Sequence, residues 1–321
     1  MATLSKLRSW RPDPLITLIL LAVLLAVFFP ARGGFAEGFG LATKIAIGLL
    51  FFLYGARLSP QEALQGLKHW RLHTTILGFT YLVFPLIGLA LYPLQALIGK
   101  ELYLGLLFMT LVPSTVQSSV AFTSVARGNV AGAIVSASAS NIVGVLATPL
   151  LVMLLMRSDQ LVISGSVFLD IAIQLLLPFV LGQLLRPWVG ELAKKKLTKL
   201  VDRLSIAMVV YAAFSDGIVE GIWTRIVPWQ IAFLVLLSLA LVEFLLWFSG
   251  FVARRFGFSY GDRVAIQFCG SKKSLATGLP MAAVIFGGGS VGALILPLMI
   301  FHQVQLMVCA ARAARLARSA A

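Results

Sequence analysis

The sequence predicts an all-α polytopic membrane protein, and three observations indicate this class. The 321 residues are 60% hydrophobic and only 12% charged, whereas soluble domains carry roughly 45–50% apolar and about 25% charged residues. The apolar residues fall into ten blocks of about 20 residues, which is the length that crosses a bilayer as a helix. Two of these blocks are interrupted by polar residues at corresponding places in the two halves of the chain. We therefore expect ten transmembrane helices, of which the fourth and the ninth are broken.

The ten predicted spans follow one another with short connections. The first follows three basic residues and so resembles a signal peptide. Its apolar run from Leu15 to Phe29 is long, however, and no Ala-x-Ala cleavage site follows, so we interpret it as an uncleaved helix. The predicted spans are residues 14–30, 39–57, 74–98, 102–126, 129–156, 166–186, 200–219, 229–250, 260–286 and 290–311.

Lysine and arginine are distributed unequally among the connections between spans. With ten spans both termini lie on one side, and that side carries nineteen basic residues against four on the other. Cytoplasmic loops of membrane proteins carry the excess of basic residues, so both termini are predicted to be cytoplasmic. This asymmetry explains most of the net charge of +14 without a nucleic-acid partner. We expect a multi-pass protein of the plasma membrane, in particular a bacterial inner membrane.

The halves of the chain, residues 1–158 and 159–321, are predicted to be two related five-helix units. The segment beginning at Tyr54 resembles the segment beginning at Tyr211, and the same offset of 157 aligns the first broken span with the second. Because each half contains an odd number of spans, the second half enters the membrane in the opposite orientation. The sequence therefore predicts an inverted repeat with a pseudo-two-fold axis in the membrane plane.

The interruptions of the fourth and ninth spans read Leu111-Val-Pro-Ser-Thr-Val-Gln-Ser-Ser119 and Cys269-Gly-Ser-Lys-Lys-Ser-Leu-Ala-Thr277. Unwound backbone at membrane depth is tolerated only where it is buried in protein or lines a cavity. A pair of such breaks at matching positions of two repeats points to the substrate site of a transporter. We expect both segments to be non-helical and to cross near the middle of the membrane.

Lys272 and Lys273 are the least expected residues, since a lysine at the membrane centre costs about 2.5–3.5 kcal/mol on insertion scales. We expect at least one ammonium group in a central polar cavity, where it could attract an anionic solute, take the place of a coupling cation or carry a proton. The alternative is that the predicted span is displaced and the lysines lie at the membrane edge. Asp170, Asp216 and Glu243 are candidate partners within the spans.

Two further spans carry polar residues with two possible interpretations. The fifth has a small residue at every fourth position from Gly128 to Thr148; this spacing favours close helix packing, and Ser136, Ser140 and the neighbouring Asn141 could also serve as ligands to a cavity. In the tenth, His302 and Gln305 are three residues apart and share a face. They could belong to a site or be satisfied packing residues.

Several short segments make the chain resemble the bile acid:sodium symporter superfamily. Arg127-Gly-Asn-Val-Ala131 is similar to an Ala-Arg-Gly-Asn-Val-Ala stretch of that superfamily, and Pro113 with the small polar residues after it resembles its first crossover. The similarity is greatest to the branch that contains the seventh member of solute carrier family 10 and its bacterial relatives, and it covers nearly the whole chain. The segments that resemble this branch are Tyr54-Gly-Ala-Arg-Leu58, Ser118-Ser119, Lys272-Lys-Ser274 and His302-x-x-Gln305.

The resemblance implies two helical bundles, a panel of spans 1, 2, 6 and 7 and a core of spans 3–5 and 8–10 in which the broken spans cross. It also aligns Phe268 and Lys272-Lys273 with the Glu and the Gln-Asn that sodium symporters of the family use, and Thr80 with their third-span Gln. The main carboxylate of two cation sites is thereby lost. The resemblance therefore implies transport without two-sodium coupling.

We therefore expect a secondary active transporter that moves a small anionic organic solute across the plasma membrane by alternating access. The coupling ion, proton or sodium, is left open, and a sodium-coupled symporter of the same fold or a non-transporting membrane regulator are the alternatives. The chain lacks nucleophile–base and cofactor motifs, so we expect neither an enzyme nor a cofactor; the expected partners are a solute and the lipid bilayer. The candidate solute- or ion-binding residues are Thr80, Ser114, Thr115, Gln117, Ser118, Ser119, Ser136, Ser140, Asn141, Ser271, Lys272, Lys273, Ser274, His302 and Gln305.

Overall fold

The structure is a computed structural model that describes residues 14–57, 69–156, 172–219, 221, 224, 226–286 and 291–319. These residues form helices joined by short turns, and they contain no β-strand. The first eight α-helices are α1 Pro14–Phe28, α2 Gly33–Arg57, α3 Trp70–Gly78, α4 Phe84–Ala90, α5 Gln95–Ile98, α6 Lys100–Leu111, α7 Gln117–Val125 and α8 Val130–Leu155. The others are α9 Leu177–Leu184, α10 Arg186–Ala193, α11 Lys196–Val219, α12 Pro228–Arg255, α13 Tyr260–Gly270, α14 Leu275–Phe286 and α15 Val291–Ser319. Two π-helical turns, Phe79–Val83 and Ala172–Leu176, join α3 to α4 and lead into α9, and the 3-10 turn Tyr92–Leu94 precedes α5.

The described helices are those of a membrane protein. Five of them are long and apolar enough to cross a bilayer, namely α2, the continuous segment from α3 to α4, α8, α12 and α15, and the α9–α10 pair, bent by 103°, gives a sixth if it is one span. Large apolar side chains such as Leu24, Leu154 and Leu236 are more than half exposed on the outer faces. Such faces need an apolar environment around them. The predicted all-helical membrane class is confirmed, and the division into ten spans stays a prediction.

Four helices, α1, α2, α9 and α11, form one bundle, which we call the panel. Within it α1 packs on α11 and α2 packs on α9. The contact between α2 and α9 is very close because glycines meet there: a Cβ on Gly182 would collide with the carbonyl oxygen of Phe52, and one on Gly55 with that of Phe179. To admit a methyl group the two helices would have to move apart, which would disrupt their packing and the hydrogen bond from Gln183 Nε2 to the carbonyl of Gly55 at 2.7 Å. The two glycines therefore set the distance between these helices.

We expect Gly182→Ala to lower the free energy of unfolding by about 1–3 kcal/mol, the usual cost of overpacking a rigid contact. Gly48→Ala is the matched control on α2, because its Cβ would have Pro178 Cγ as its nearest neighbour at 3.9 Å. Thermal unfolding of the purified proteins in detergent tests this prediction. Equal melting temperatures for the two variants would contradict it.

The remaining long helices form a second bundle, which we call the core. Here α12 packs on α13 and α15, α6 packs on α15, and α8 packs on α3 and α13. The panel meets the core where α11 contacts α14 and α15. This division agrees with the grouping that the family resemblance implies, with the two interrupted helix pairs, α6–α7 and α13–α14, inside the core.

Both predicted breaks are present, but each is shorter than expected. The backbone is non-helical at residues 112–116 and 271–274 only, so the prediction of non-helical structure throughout residues 111–119 and 269–277 was wrong at the edges. Gln117 and Leu275 already begin new helices. A few unwound residues suffice because side chains of neighbouring helices take over the hydrogen bonds that the breaks release.

The third predicted span, residues 74–98, also differs from the structure, since the helix from Trp70 ends at Ala90 and a 3-10 turn follows.

Candidate functional site

The two helix breaks lie against each other in the core. The backbone N–H of Ser274 donates to the carbonyl of Pro113 at 2.7 Å, and Ser114 Oγ donates to the carbonyl of Cys269 at 2.6 Å. Each break thus satisfies a backbone group of the other, which buried polar groups require. The proline explains part of the geometry, since it has no N–H to continue the helix.

Side chains of α8 form hydrogen bonds with three further backbone groups at the first break. Thr148 Oγ1 donates to the carbonyl of Leu111 at 2.8 Å, Ser140 Oγ accepts from the N–H of Ser114 at 3.0 Å, and Asn141 Nδ2 donates to the carbonyl of Ser114 at 3.0 Å. Only short side chains allow α8 to approach the break this closely. The small-residue face predicted for this helix therefore serves both packing and hydrogen bonding.

The ammonium of Lys273 occupies a cage of backbone carbonyls. Nζ donates to the carbonyl oxygens of Thr80, Thr110 and Val112, each at 2.8 Å, and lies 4.2 Å from the centre of the Phe84 ring. The side chain is fully buried. Three carbonyls use all three donors of an ammonium group, and the π-helical turn and the first break present carbonyls to it. The Lys273 side chain therefore holds three segments of the core together.

The ammonium of Lys272 lies in a different environment. Nζ donates to Ser118 Oγ at 3.3 Å and lies 4.5 Å from the centre of the Phe122 ring and 5.8 Å from that of Phe268. Aromatic faces attract cations, so the rings partly compensate for the loss of water. The family resemblance implies a glutamate at the position of Phe268, and here the Phe268 ring lies beside a cation. Lys272 is fully buried as well.

The side chains of His302 and Gln305 on α15 hold the backbone of the second break. Gln305 Oε1 accepts from the N–H of Lys273 and Gln305 Nε2 donates to the Lys273 carbonyl, both at 2.8 Å. The same Nε2 lies 2.8 Å from His302 Nδ1. The amide of Gln305 thus uses both of its ends, and the predicted shared face of these two residues contacts the break.

A cavity of about 550 Å³ separates the panel from the core beside the breaks. On the core side it is lined by hydroxyl, amide and imidazole groups, which could form hydrogen bonds with a polar solute. These residues are Thr115, Gln117, Ser118, Ser138, Asn141, Ser274, Thr277 and His302. Apolar side chains such as Leu15, Val145, Phe179 and Ile206 line the remainder. The cavity could therefore hold a molecule that has both polar and apolar parts.

The panel side of the cavity carries charged groups. Arg57 forms a two-point ion pair with Asp202 and donates from Nε to the carbonyl of Ala193 at 2.7 Å. Lys194 and Arg203 line the same cavity. Arg57 is paired with Asp202, and Lys194 Nζ donates to Glu191 Oε1 at 2.9 Å, so the three cationic side chains stand against two carboxylates and leave an excess of one positive charge. This balance favours a negatively charged solute.

The structure divides the fifteen predicted site residues into two groups. Six line the cavity: Thr115, Gln117, Ser118, Asn141, Ser274 and His302. The others lie behind its wall; for example, Ser136 Oγ is 2.6 Å from His73 Nδ1 and Ser271 Oγ donates to the carbonyl of Gln267. The buried residues that do not line the cavity are Thr80, Ser114, Ser119, Ser136, Ser140, Ser271, Lys272, Lys273 and Gln305. Both lysines lie among carbonyls, a hydroxyl group and rings, and neither lines this cavity, whereas at least one ammonium group was expected in a central polar cavity.

Sequence reasoning missed the panel half of the cavity. Lys194 and Arg203 served only to orient the spans, Arg57 was noted for the orientation and as part of the segment Tyr54-Gly-Ala-Arg-Leu58, and Asp202 was not singled out. A signal was available, since Asp202 interrupts a strongly basic segment. Of the predicted acidic partners, Asp170 lies outside the described residues, Asp216 is half-buried on α11 and does not line the cavity, and Glu243 lines a separate small pocket with Arg312 and Arg315.

Comparison with known proteins decides the family. The SBF-like CPA transporter family matches residues 13–318. The chain belongs to this family. It is 49% identical over 320 residues to an uncharacterized protein of Pseudomonas aeruginosa, and the aligned segment covers 96% of this chain and 93% of that protein. It is 45% identical over 309 residues to the candidate symporter YfeH of Escherichia coli K12, covering 95% and 93%, and 30% identical over 307 residues to sodium/bile acid cotransporter 7-B of Xenopus laevis, covering 91% and 87%.

Membership of the SBF-like CPA transporter family confirms the resemblance seen in the sequence. The match spans both the panel and the core, so it includes the breaks, the two lysines and the cavity. The apolar outer faces of the helices and the lack of enzyme motifs in the sequence agree with membership of a membrane transporter family.

Proposed function

We propose that this member of the SBF-like CPA transporter family is a secondary active transporter that moves a small organic anion by alternating access and does not use two-sodium coupling. The observation that carries the proposal is the ammonium of Lys273 within three carbonyls at 2.8 Å. Backbone carbonyls freed at broken helices are the groups that coordinate coupling cations in such transporters. Here a covalently attached cation fills that position.

Electrostatics argues against adding a free cation at the same place. Two unit charges 4 Å apart repel by about 4 kcal/mol at an effective dielectric constant of about 20. The family resemblance implies that Phe268 stands where other members carry the glutamate that would offset this charge, and the ammonium of Lys272, which is also buried, lies 5.8 Å from the centre of the Phe268 ring. A sodium ion would therefore meet repulsion without a compensating carboxylate.

The solute class follows from the cavity. Arg57, Lys194 and Arg203 supply positive charge on the panel side, and the hydroxyl and amide groups of the core side supply hydrogen bonds. An organic anion placed between them would contact both bundles at once. Movement of the panel against the core would then change its access from one side of the membrane to the other, as alternating access requires.

The architecture proposed for this function is the ten-span inverted repeat with halves 1–158 and 159–321 and both termini in the cytoplasm of a bacterial cell. Its support is the way that the broken spans pack. The first half of the fourth span, α6, packs on the tenth, α15, and the first half of the ninth, α13, packs on the fifth, α8. These two contacts would be equivalent under a pseudo-two-fold axis.

The test is uptake into proteoliposomes of an organic anion selected by a thermal-shift screen against the purified chain. We expect equal initial rates when sodium chloride is replaced by choline chloride, because Lys273 already supplies the cation. A proton gradient is imposed in a separate arm. Saturable sodium dependence would instead support the sodium-coupled alternative, and binding without uptake would support a regulator.

A further inference from the structure

A second pocket, of about 250 Å³, opens on the outer surface of the core between α12 and α15. Since a water molecule takes about 30 Å³ in the liquid, this volume suits a group of about eight non-hydrogen atoms. The pocket combines charged side chains of both signs with apolar ones, and it shares no residue with the cavity between the panel and the core. Its lining residues are Glu243 of α12 and Met307, Val308, Ala311, Arg312 and Arg315 of α15.

The charged groups of this pocket lack partners among the described residues. Glu243, Arg312 and Arg315 form neither a hydrogen bond nor an ion pair with any residue of the described part of the chain. The Nε atom of Arg312 is nevertheless buried, and a buried donor without an acceptor is costly. Charged side chains of membrane helices are normally paired. The pocket therefore points to a ligand that offers an acceptor to the arginines and a positive group to the carboxylate.

The tryptophans of α12 place the pocket near one surface of the bilayer. Trp229 and Trp247 are both exposed, and tryptophans of membrane proteins gather at the two interfaces with water. They are 18 residues apart, which puts them on one face of the helix and about 27 Å from each other, close to the hydrocarbon thickness of about 30 Å. Glu243 precedes Trp247 by one helical turn. The pocket thus lies next to the headgroup level, at the end where α12 finishes with Arg254 and Arg255.

The surface beside the pocket is apolar and suits acyl chains. Phe244, Trp247 and Phe251 are exposed on α12, and the rings of Trp247 and Phe251 stack with their centres 5.9 Å apart. Met307, which lines the pocket itself, is 69% exposed. An apolar patch of this kind on a membrane helix contacts lipid chains. A lipid with its chains on this face would bring its headgroup to the pocket.

We propose that the pocket binds a phospholipid headgroup of the phosphatidylethanolamine type, with the phosphate at Arg312 and Arg315 and the ammonium group at Glu243. Arginine matches phosphate oxygens well, because its planar group donates two parallel hydrogen bonds. An ammonium group carries three donors, which a carboxylate can accept. The headgroup would thus give each of the three charged side chains a partner of opposite sign.

Glu243 distinguishes this headgroup from those of other phospholipids. An anionic headgroup such as that of phosphatidylglycerol would satisfy the arginines but leave the carboxylate without a cation. In phosphatidylcholine, methyl groups replace the donors of the ammonium group, so no hydrogen bond to Glu243 can form. Hydrogen bonds between charged groups are about twice as strong as those between neutral groups. Phosphatidylethanolamine should therefore bind more tightly than either of the other two lipids.

A lipid in this pocket would hold α12 against α15 close to the second helix break. Arg312 lies about two helical turns beyond Gln305 on α15. The amide of Gln305 holds the break through the backbone of Lys273. Binding of the lipid would therefore stabilise the part of the core that supports the break.

Native mass spectrometry of the full-length chain in detergent, with one lipid added at a time, tests the proposal without any transported solute. Phosphatidylethanolamine, phosphatidylglycerol and phosphatidylcholine are compared with identical acyl chains, so that only the headgroup differs. We expect the dissociation constant of the first bound phosphatidylethanolamine to be about tenfold lower than that of the other two, since each of them loses the hydrogen bonds to a charged group. The same lipid should raise the melting temperature of the chain the most.

Three variants assign the two halves of the headgroup. Glu243→Gln keeps the size of the side chain, and phosphatidylethanolamine should lose its advantage over phosphatidylglycerol, which should itself bind more tightly without the negative charge. Arg312→Gln combined with Arg315→Gln should weaken the binding of all three lipids by about tenfold or more. The matched control is Arg254→Gln with Arg255→Gln, the same loss of charge on α12 outside the pocket, which should leave the order of the three lipids unchanged.

Equal binding of phosphatidylethanolamine and phosphatidylglycerol by the unmodified chain would overturn the proposal even if no variant folds. A preference for phosphatidylethanolamine that survives in Glu243→Gln would overturn it as well. So would an equal loss of binding in the control with Arg254 and Arg255 changed, because positive charge in general would then hold the lipid. Since no solute is present, failure of the transport function would leave these results unaffected.

Discussion

Lys273→Ala is expected to lower the melting temperature of the purified protein by on the order of 10 °C. The substitution leaves three buried carbonyls without their donor, and an unpaired buried polar group costs about 1–3 kcal/mol, while one kcal/mol corresponds to about 2–4 °C in a domain of a few hundred residues. The measurement is thermal unfolding in detergent. Lys44→Ala is the matched control, because Lys44 is an exposed lysine on α2.

Lys273→Ala is also expected to respond to sodium, which would not follow if Lys273 had only a packing role. Removal of the side chain leaves a cage of oxygen ligands, and hard cations prefer oxygen ligands. We expect sodium chloride to raise the melting temperature of Lys273→Ala relative to choline chloride of equal ionic strength, and to leave the unmodified chain unchanged. Sodium stabilisation of the unmodified chain, or none of the variant, would contradict the view that Lys273 replaces a bound cation.

Lys272→Ala is expected to reduce uptake of the screened anion by about tenfold or more, which corresponds to about 1.4 kcal/mol of lost interaction. Its ammonium contacts the hydroxyl of Ser118, which lines the cavity, and so holds positive charge directly behind the solute-facing wall. The effect on folding should be small, since one long hydrogen bond and two ring contacts are lost. Initial rates in proteoliposomes and melting temperatures are the two measurements.

Two further variants define the role of Lys272. Lys272→Arg keeps the charge and should keep part of the uptake. Lys44→Ala removes the charge of an exposed lysine that does not line the cavity and should change uptake little. If Lys272→Ala transports normally, the lysine is a packing residue and the electrostatic part of the proposed mechanism is wrong.

The location of the breaks could be predicted from the sequence, but their extent could not. Pro113 and the polar residues on both sides marked the first break, and Gly270 with two lysines marked the second. Whether Gln117 or Leu275 is helical depends on how many released backbone groups find partners. At the first break those partners, such as Thr148 and Ser140, belong to α8, which follows the break in the chain and folds back against it. The same helix is far from the second break along the chain.

The surroundings of the two lysines were likewise beyond the sequence. At least one ammonium group was expected in a central polar cavity, because a buried charge needs partners. The structure surrounds Lys273 with backbone carbonyls, and Lys272 with the Ser118 hydroxyl group and two aromatic rings. Backbone carbonyls are present at every residue, so no residue type signals them; only the π-helical turn at Thr80 and the break at Val112 make them available.

The sequence by itself determined that this protein is an all-helical membrane protein and which helices are interrupted, because apolar block length, proline and misplaced charges act locally along the chain. Its short motifs also carried the resemblance to the superfamily. The tertiary structure alone decided which carbonyls hold the Lys273 ammonium, which of the predicted residues reach the cavity, and that Arg57, Asp202 and Arg203 line its other side. These features arise from contacts between helices far apart in the chain. Their strength depends on distances of a few ångströms, which hydrophobic pattern and composition do not specify.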